Sequence, residues 1–470
     1  MRRPLGVGRW GRTPALLAGA LGVCAVGVLL VAACVPRAPN AQRTGARVMG
    51  PLPGPPVAPE TAPQAVAAPR ERLVRVALAT ALPVAPLSAT AGWELAENGG
   101  ARVLVRGMGG ERWRVEQQGG LVRVVGEGGD RTPWRPGPLV ARPTAAGALV
   151  QYAGRRYRGE LWILPLASGL TVVNRLPMEA YLRGVVPLEL GTRAATDRAA
   201  LEAQAIAARS FATVRVPRDE GRLPARGWHL RAGVADQAYG GVDAEYPLAD
   251  AAVAATAGLV LRYNGRVVTA PYSAACGGRT AAPGEAWDDA PDAPFLHPVD
   301  DHDPATGRAW CDIAPESHWT QELDAAVLSE AVRRVLARRA PEEGAEEGAE
   351  EPAAVAWVPV RAVRVASRGR SGRIGTLVLS TDGGEVPVRA AALRGWLRGR
   401  RGGSLASTYF AVEHATHDDG QVASLRLRGV GHGHGVGMCQ WGAIGRARAG
   451  QDARTILQHY YPGTVVGAAD

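Results

Sequence analysis

Ala200, Ala203, Gln204, Ala207 and Ala208 recur at the spacing of a single helix face, and nearly all of them are small. A helix with such a face lies close against its neighbour, so the fold has to be built around that close approach. In front of it runs YLRGVVPLELG (181–191), where Gly184, Val185 and Val186 read as a β-like apolar run stopped by Pro187. Gly191 and Thr192 then make a turn, and Thr196 or Asp197 can cap the helix. Glu189 stands between Leu188 and Leu190. With both leucines buried, its carboxyl is partly desolvated, its pKa rises, and it can donate a proton near neutral pH. An acid exposed at the end of a strand is the other reading that this pattern allows.

Charge narrows the partners. The chain has 470 residues and a net charge of +10, and every basic residue is Arg. A basic balance suits nucleic acid, a membrane surface or an acidic polymer, and the absence of a basic run with interleaved aromatics makes nucleic acid the weakest of the three. Residues 1–34 read as a lipoprotein signal peptide. Arg2, Arg3, Arg9 and Arg12 precede an apolar segment, and Val31-Ala32-Ala33 leads to Cys34, the lipidation candidate. An uncleaved membrane anchor is the alternative, and either reading places the chain after Cys34 outside the cytoplasm, in the cell envelope. Residues 35–71 are a Pro- and Ala-rich tether. From Leu73 to about Asn174, short alternating runs separated by glycine turns predict a mostly β half (ARVLVRG, LVRVVG, ALVQYAG, LWILPL and LTVVN). Farther on, residues 248–258 read as helical, Asn264-Gly265 as a hairpin turn, and 322–339 as an amphipathic helix. The acidic low-complexity stretch 341–352 is a charged insert.

YLRGVVPLELG and ALEAQAIAARSF resemble the core signature of the sporulation stage II protein D family, the SpoIID/LytB domain. The likeness continues in order through QAYGG (237–241), LVLRYNGRVVTAPYSAACGGRT (259–280), AWDDAPDAPFLHPVDD (286–301), RGRSGRIGTLVLS (368–380), GVGHGHGVGMCQWGAIGRARAG (429–450) and ILQHYYPGT (456–464). It implies one SpoIID-like α+β region over 72–470, with a mostly β N-terminal half, a short catalytic helix segment and a mixed αβ C-terminal half. Enzymes of the family are peptidoglycan lytic transglycosylases, which cut the MurNAc–GlcNAc bond and leave a 1,6-anhydro-MurNAc end. By that resemblance Glu189 is the catalytic acid and base, and Arg209, Asp300, His432, His434 and Gln440 bind substrate. Glu202 stands where the family usually has Lys, and Phe295 where it often has Tyr. The family also holds non-catalytic wall-binding or amidase-enhancing members, so a cell-wall amidase is a possible partner beside glycan strands and the membrane anchor.

GHGHGVGMCQWGA (431–443) is a second concentration of chemistry. Its glycines let a sugar chain or backbone come close, and two histidines one residue apart point the same way on a strand. No cofactor is expected. Zinc is an alternative, held by these histidines with Cys439, Cys276 or Cys311, and a Cys439–His434 thiol hydrolase is another. With Cys24 and Cys34 in the leader, three of the five cysteines remain, and Cys276 with Cys311 is the preferred disulfide candidate.

Overall fold

A computed structural model describes residues 72–97, 102–217, 226–339, 357–397 and 403–469. The signal peptide, Cys34, the tether and the acidic insert 341–352 lie outside the described residues. Among the described residues, no helix is long and apolar enough to cross a membrane. The architecture is α+β, with a mostly β N-terminal half as the sequence predicts.

Residues 73–177 form two antiparallel sheets whose buried faces share one core. Leu73–Leu82 and Gly169–Pro177 are covered on both faces: Val74, Val76, Leu170 and Val172 enter the main core, while Ala77 and Val173 pack with Leu164 and Trp228 in a small separate cluster. These two strands pair antiparallel, Val76 opposite Asn174, and Glu160–Leu166 pairs with the other edge of Gly169–Pro177. Trp93 is 1% exposed on the strand next to the sheet's edge, and Gly107 opposite it on the edge strand is needed because a Cβ there would lie 2.4 Å from the indole nitrogen.

The strand Gly169–Pro177 runs directly into helix α1, Met178–Leu190, followed by α2, Arg198–Arg215, and α3, Pro247–Ala255. Here the expected β-like run at 184–186 is corrected: Met178, Tyr181, Leu182, Val185 and Val186 are spaced at helical period, and all are buried. Burying that stripe outweighs the strand preference of two adjacent valines. Pro187 is accommodated inside the helix, near its C-terminal end. The predicted caps do not form either: neither Thr196 nor Asp197 caps α2, and the Asp197 carboxylate instead receives Arg448 at 2.7 and 3.0 Å. The small-residue face of α2 is buried as predicted, with Ala200, Ala203, Gln204, Ala207 and Ala208 all at 0% exposure.

The hairpin at Asn264-Gly265 is observed: Leu259–Tyr263 pairs antiparallel with Arg266–Val267, and both turn residues have positive φ, 48° and 76°, as a two-residue primed turn demands. Tyr272–Ser273 pairs in parallel with Met438–Cys439, drawing the glycine-histidine segment to the side of α2.

Residues 318–430 build a second hydrophobic core within the 72–470 region. It contains α4, Ala325–Arg339, and α5, Ala390–Trp396, with two three-stranded sheets. The amphipathic helix begins at Ala325 because residues 318–324 are a strand paired with Val422–Val430. After it the chain returns to the first core as α6, Gln440–Arg448, and α7, Ala453–Tyr460.

Candidate active site

Glu189 lies in the last turn of α1, with Leu190 buried and Leu188 47% exposed. The expectation that both leucines dry the carboxyl is therefore half right, and the rest of the desolvation comes from other segments. The Ala238 amide donates to Glu189 Oε1 at 2.7 Å, and Gln440 Nε2 approaches Oε2 at 3.3 Å. The Tyr272 hydroxyl also hydrogen-bonds the carboxyl. Burial raises the Glu189 pKa, and these three donors restrain the rise by favouring the ionised form.

The donors are themselves oriented. Gln237 Nε2 donates to the Tyr272 oxygen at 2.8 Å and to the Ala208 carbonyl at 3.3 Å, while Gln237 Oε1 accepts from Tyr181 at 3.0 Å. Because the Tyr272 oxygen already accepts from Gln237, its own proton is free to point at Glu189. A polarised row thus runs from Tyr181 through Gln237 and Tyr272 to the carboxyl. On the other side, Gln440 Nε2 also reaches Gln204 Oε1 at 3.4 Å, and the Nε2 of Gln204, fully buried, has no hydrogen-bond partner among the described residues.

A cavity of about 790 Å³ borders this row. The Tyr272 side chain lines it, together with Arg215, Asp236, Trp287, His434 and, from α5 of the second core, Arg394. His434 packs its ring against Trp287 at 4.9 Å between centroids. Its Nδ1 accepts from the Val436 amide at 3.0 Å and it also hydrogen-bonds the Tyr272 backbone, so it is held as a neutral imidazole. Burial pushes its pKa down to about 4. The histidines do not point the same way on a strand, as expected from their spacing. Glycines 431, 433, 435 and 437 all take positive φ, which turns the chain at alternate residues. His432 is consequently directed outward, half exposed, 3.7 Å from Glu316.

Arg209 is 1% exposed, and its guanidinium donates to both oxygens of Glu179, at 2.8 and 2.6 Å, and to the carbonyls of Leu259, Val253 and Ala205. All its donors are used inside the fold, tying α1 and α2 to α3, rather than to orient Glu189 or meet a substrate. Asp300 is exposed and paired with His302 at 2.9 Å, whereas its neighbour Asp301 is fully buried beside Arg446, Tyr460 and Cys276. Glu202 pairs with Arg198 along the exposed side of α2. Phe295 lines the cavity and packs on Tyr263 with ring centroids 5.5 Å apart.

The three cysteines converge, but not on the histidines. Cys276, Cys311 and Cys439 are free and buried, and Cys276 and Cys311 stand 3.8 Å apart, Sγ to Sγ, without a bond between them. Cys439 caps α6, its sulfur accepting from the Gly442 amide, and lies in the interior rather than against His434. The thiol-hydrolase arrangement is thus not formed.

Residues 167–263 match the SpoIID family of stage II sporulation proteins, and residues 317–437 match a domain of unknown function, DUF8618. The first match covers the end of the sheet, α1, α2, α3 and the strand Leu259–Tyr263; the second coincides with the second core. The first match agrees with the resemblance that the motifs display. It is 28% identical over 310 residues to an uncharacterized protein of Brachyspira hyodysenteriae, covering 66% of this chain and 72% of that one. It is 29% identical over 312 residues to an amidase enhancer of Bacillus subtilis, covering 61% of this chain but only 40% of that protein.

Sequence reasoning assigned Glu189 and Gln440, which the structure brings together, and missed Tyr272, Gln237, Tyr181 and the Ala238 amide. A signal for these was present, since QAYGG and TAPYSA are among the recognised stretches, but neither carries a charge that would mark it as chemical.

Proposed function

We propose that the chain is a cell-wall protein whose Glu189 cleaves glycan strands as a lytic transglycosylase. The SpoIID match and the likeness to an amidase enhancer support a cell-wall role. The observation that carries the enzymatic reading is a desolvated carboxyl held by the Ala238, Gln440 and Tyr272 donors, one of which, Tyr272, lines a cavity large enough for sugar rings. The Ala238 amide holds Oε1 as an acceptor at 2.7 Å, and Oε2, whose contact with Gln440 is the longer at 3.3 Å, carries the mobile proton. That proton passes to the glycosidic oxygen as the MurNAc–GlcNAc bond breaks. The resulting carboxylate, stabilised by its donors, takes the proton of the MurNAc C6 hydroxyl as that oxygen closes on C1. Because the nucleophile belongs to the same sugar, no second carboxylate has to position a water. Arg215 and Arg394 on the cavity wall suit the lactyl carboxylate of MurNAc, and lipid attachment at Cys34 would hold the enzyme beside its polymer. The test is digestion of peptide-stripped glycan, read by mass spectrometry for 1,6-anhydro-MurNAc ends.

Tyr272 offers a finer check. Tyr272→Phe removes a hydrogen bond to the ionised carboxyl, a loss of about 1.5–3 kcal/mol, so product formation falls about tenfold or more. The Glu189 pKa rises further without that donor, and the alkaline limb of the pH–rate profile moves to higher pH. A rate loss with an unmoved limb would mean that Tyr272 does not act through the carboxyl.

The name of the Bacillus subtilis relative favours a second reading, stimulation of a separate amidase. In that case the chain accelerates amidase release of stem peptides from whole wall, Glu189→Gln retains the effect, and no anhydro ends form.

A further inference from the structure

We propose that Cys276, Cys311, Cys439 and Asp301 are the four ligands of a tetrahedral zinc site that fixes the segments behind Glu189. This does not depend on the reaction assigned to the chain. The four ligand atoms lie within 4.8 Å of one another and all four residues are buried. In a tetrahedral centre with zinc–sulfur bonds of about 2.3 Å, two sulfurs stand about 3.8 Å apart, and Cys276 and Cys311 are 3.8 Å apart. Asp301 Oδ2 lies 3.2 Å from the Cys276 sulfur, on the ligand side. Oδ1 accepts from Arg446, at 3.1 and 3.0 Å, and the Tyr460 hydroxyl lies between the two oxygens, 2.9 Å from Oδ1 and 3.0 Å from Oδ2, the outer hydrogen bonds that orient a ligating carboxylate.

The backbone is arranged for thiolates. The amides of Cys276 and Gly442 point at the Cys439 sulfur, at 3.1 and 3.2 Å, and those of Gly277 and Gly278 at the Cys311 sulfur. Gly277 and Gly278 take φ of 75° and 94°, a turn that folds the amides after Cys276 back over the site. Gly442 is required there as well, because a Cβ would lie 2.2 Å from the Tyr460 oxygen and 2.3 Å from Asp301 Oδ2.

Charge supplies an independent argument. Arg373, from the second core, is fully buried, and no carboxylate lies within ion-pair distance of it among the described residues. It donates to the carbonyls of Cys276 at 2.6 Å and Arg279 at 2.9 Å. Cys276, which it holds through that carbonyl, supplies the adjacent negative charge as a thiolate in the proposed site, whereas the Glu285 carboxylate is taken up by Ser371. An uncompensated buried guanidinium is costly. Three thiolates and one carboxylate carry four negative charges, and Zn²⁺ with Arg446 and Arg373 carries four positive ones, so the assembly closes to neutrality. A Cys276–Cys311 disulfide would instead leave Arg373 without an adjacent counter-charge and the amides around Cys439 aimed at a neutral thiol.

The site would pin three segments distant in sequence. Cys439 immediately precedes Gln440, which reaches Glu189, and Ser273 beside Tyr272 is paired with Cys439. The experiment uses the full chain purified under reducing conditions from zinc-supplemented cells, with metal measured by plasma mass spectrometry. Roughly one zinc per chain is expected, and Co²⁺ exchanged into it should give thiolate-to-cobalt charge-transfer absorption with the strong visible bands of a tetrahedral ion. Both readouts use the unmutated chain, so they hold even if cysteine variants fail to fold. Where they do fold, Cys311→Ser should lose the metal and Cys24→Ser should keep it. Zinc below about a tenth of an equivalent, or a Cys276–Cys311 disulfide found by peptide mapping of the chain purified without reductant, would overturn the assignment.

Discussion

Under the proposed reaction, Glu189→Gln should abolish formation of 1,6-anhydro-MurNAc ends while the chain remains folded. General acid–base groups contribute about 10²–10⁴-fold, and in the proposed mechanism one group serves both proton transfers, so the expected loss falls at the upper end of that range. Gln has nearly the same shape, and its side-chain oxygen still accepts from the Ala238 amide, so the cavity is preserved. Stability moves the opposite way. The folded-state pKa of Glu189 is raised by burial, so its contribution is fully present below the unfolded pKa and is lost as pH rises through the folded value. At neutral pH the carboxylate is a buried cost that Gln removes. Thermal unfolding at pH 7 should show Glu189→Gln at least as stable as the unmutated chain, with any advantage vanishing as pH falls below the carboxyl range. A variant that still yields anhydro ends at the unmutated rate would remove Glu189 from the chemistry.

Glu179→Ala produces the largest loss of stability. Arg209 is 1% exposed and donates to both Glu179 oxygens, so truncating the acid leaves a buried guanidinium without its counter-charge. Breaking a buried pair this way costs about 3–5 kcal/mol; because Glu179 is one-third exposed, the lower end applies. The melting temperature should fall on the order of 5 °C or more. Arg209→Lys should not restore the native value, since an ammonium cannot reproduce the two-pronged contact. Glu202→Ala is the control. Its partner Arg198 is exposed, and such a pair contributes about 0.5 kcal/mol or less. If the two alanine variants melted together, the interior pair would not be what joins α1 to α2 and α3.

These expectations also show where sequence was informative. The small-residue face of α2 needs only one element to be read, and it was legible; so were the hairpin at Asn264-Gly265 and the alternating strands of residues 73–174. Helix α1 was obscured because Val185 and Val186 beside Pro187 imitate a strand end, although Met178, Tyr181, Leu182, Val185 and Val186 already carried the helical period. The site was legible where it is charged, at Glu189, and where Gln440 sits in a recognised motif. Arg209 and Asp300 carry charges too, yet nothing local distinguishes a guanidinium turned inward between Ala208 and Ser210, or tells which of two adjacent aspartates faces the interior. Tyr272 and Gln237 matter only through long-range placement, and no local pattern encodes that.

The amide of Gly431 donates to the carbonyl of Ser317 at 2.7 Å, so the chain leaves the first core and comes back to it through one doorway. A segment attached in this manner can be acquired, lost or exchanged in evolution while the ends it joins stay where they were. Because α5 supplies part of the cavity wall, such an exchange would reshape that wall while leaving the row from Tyr181 to Glu189 in place.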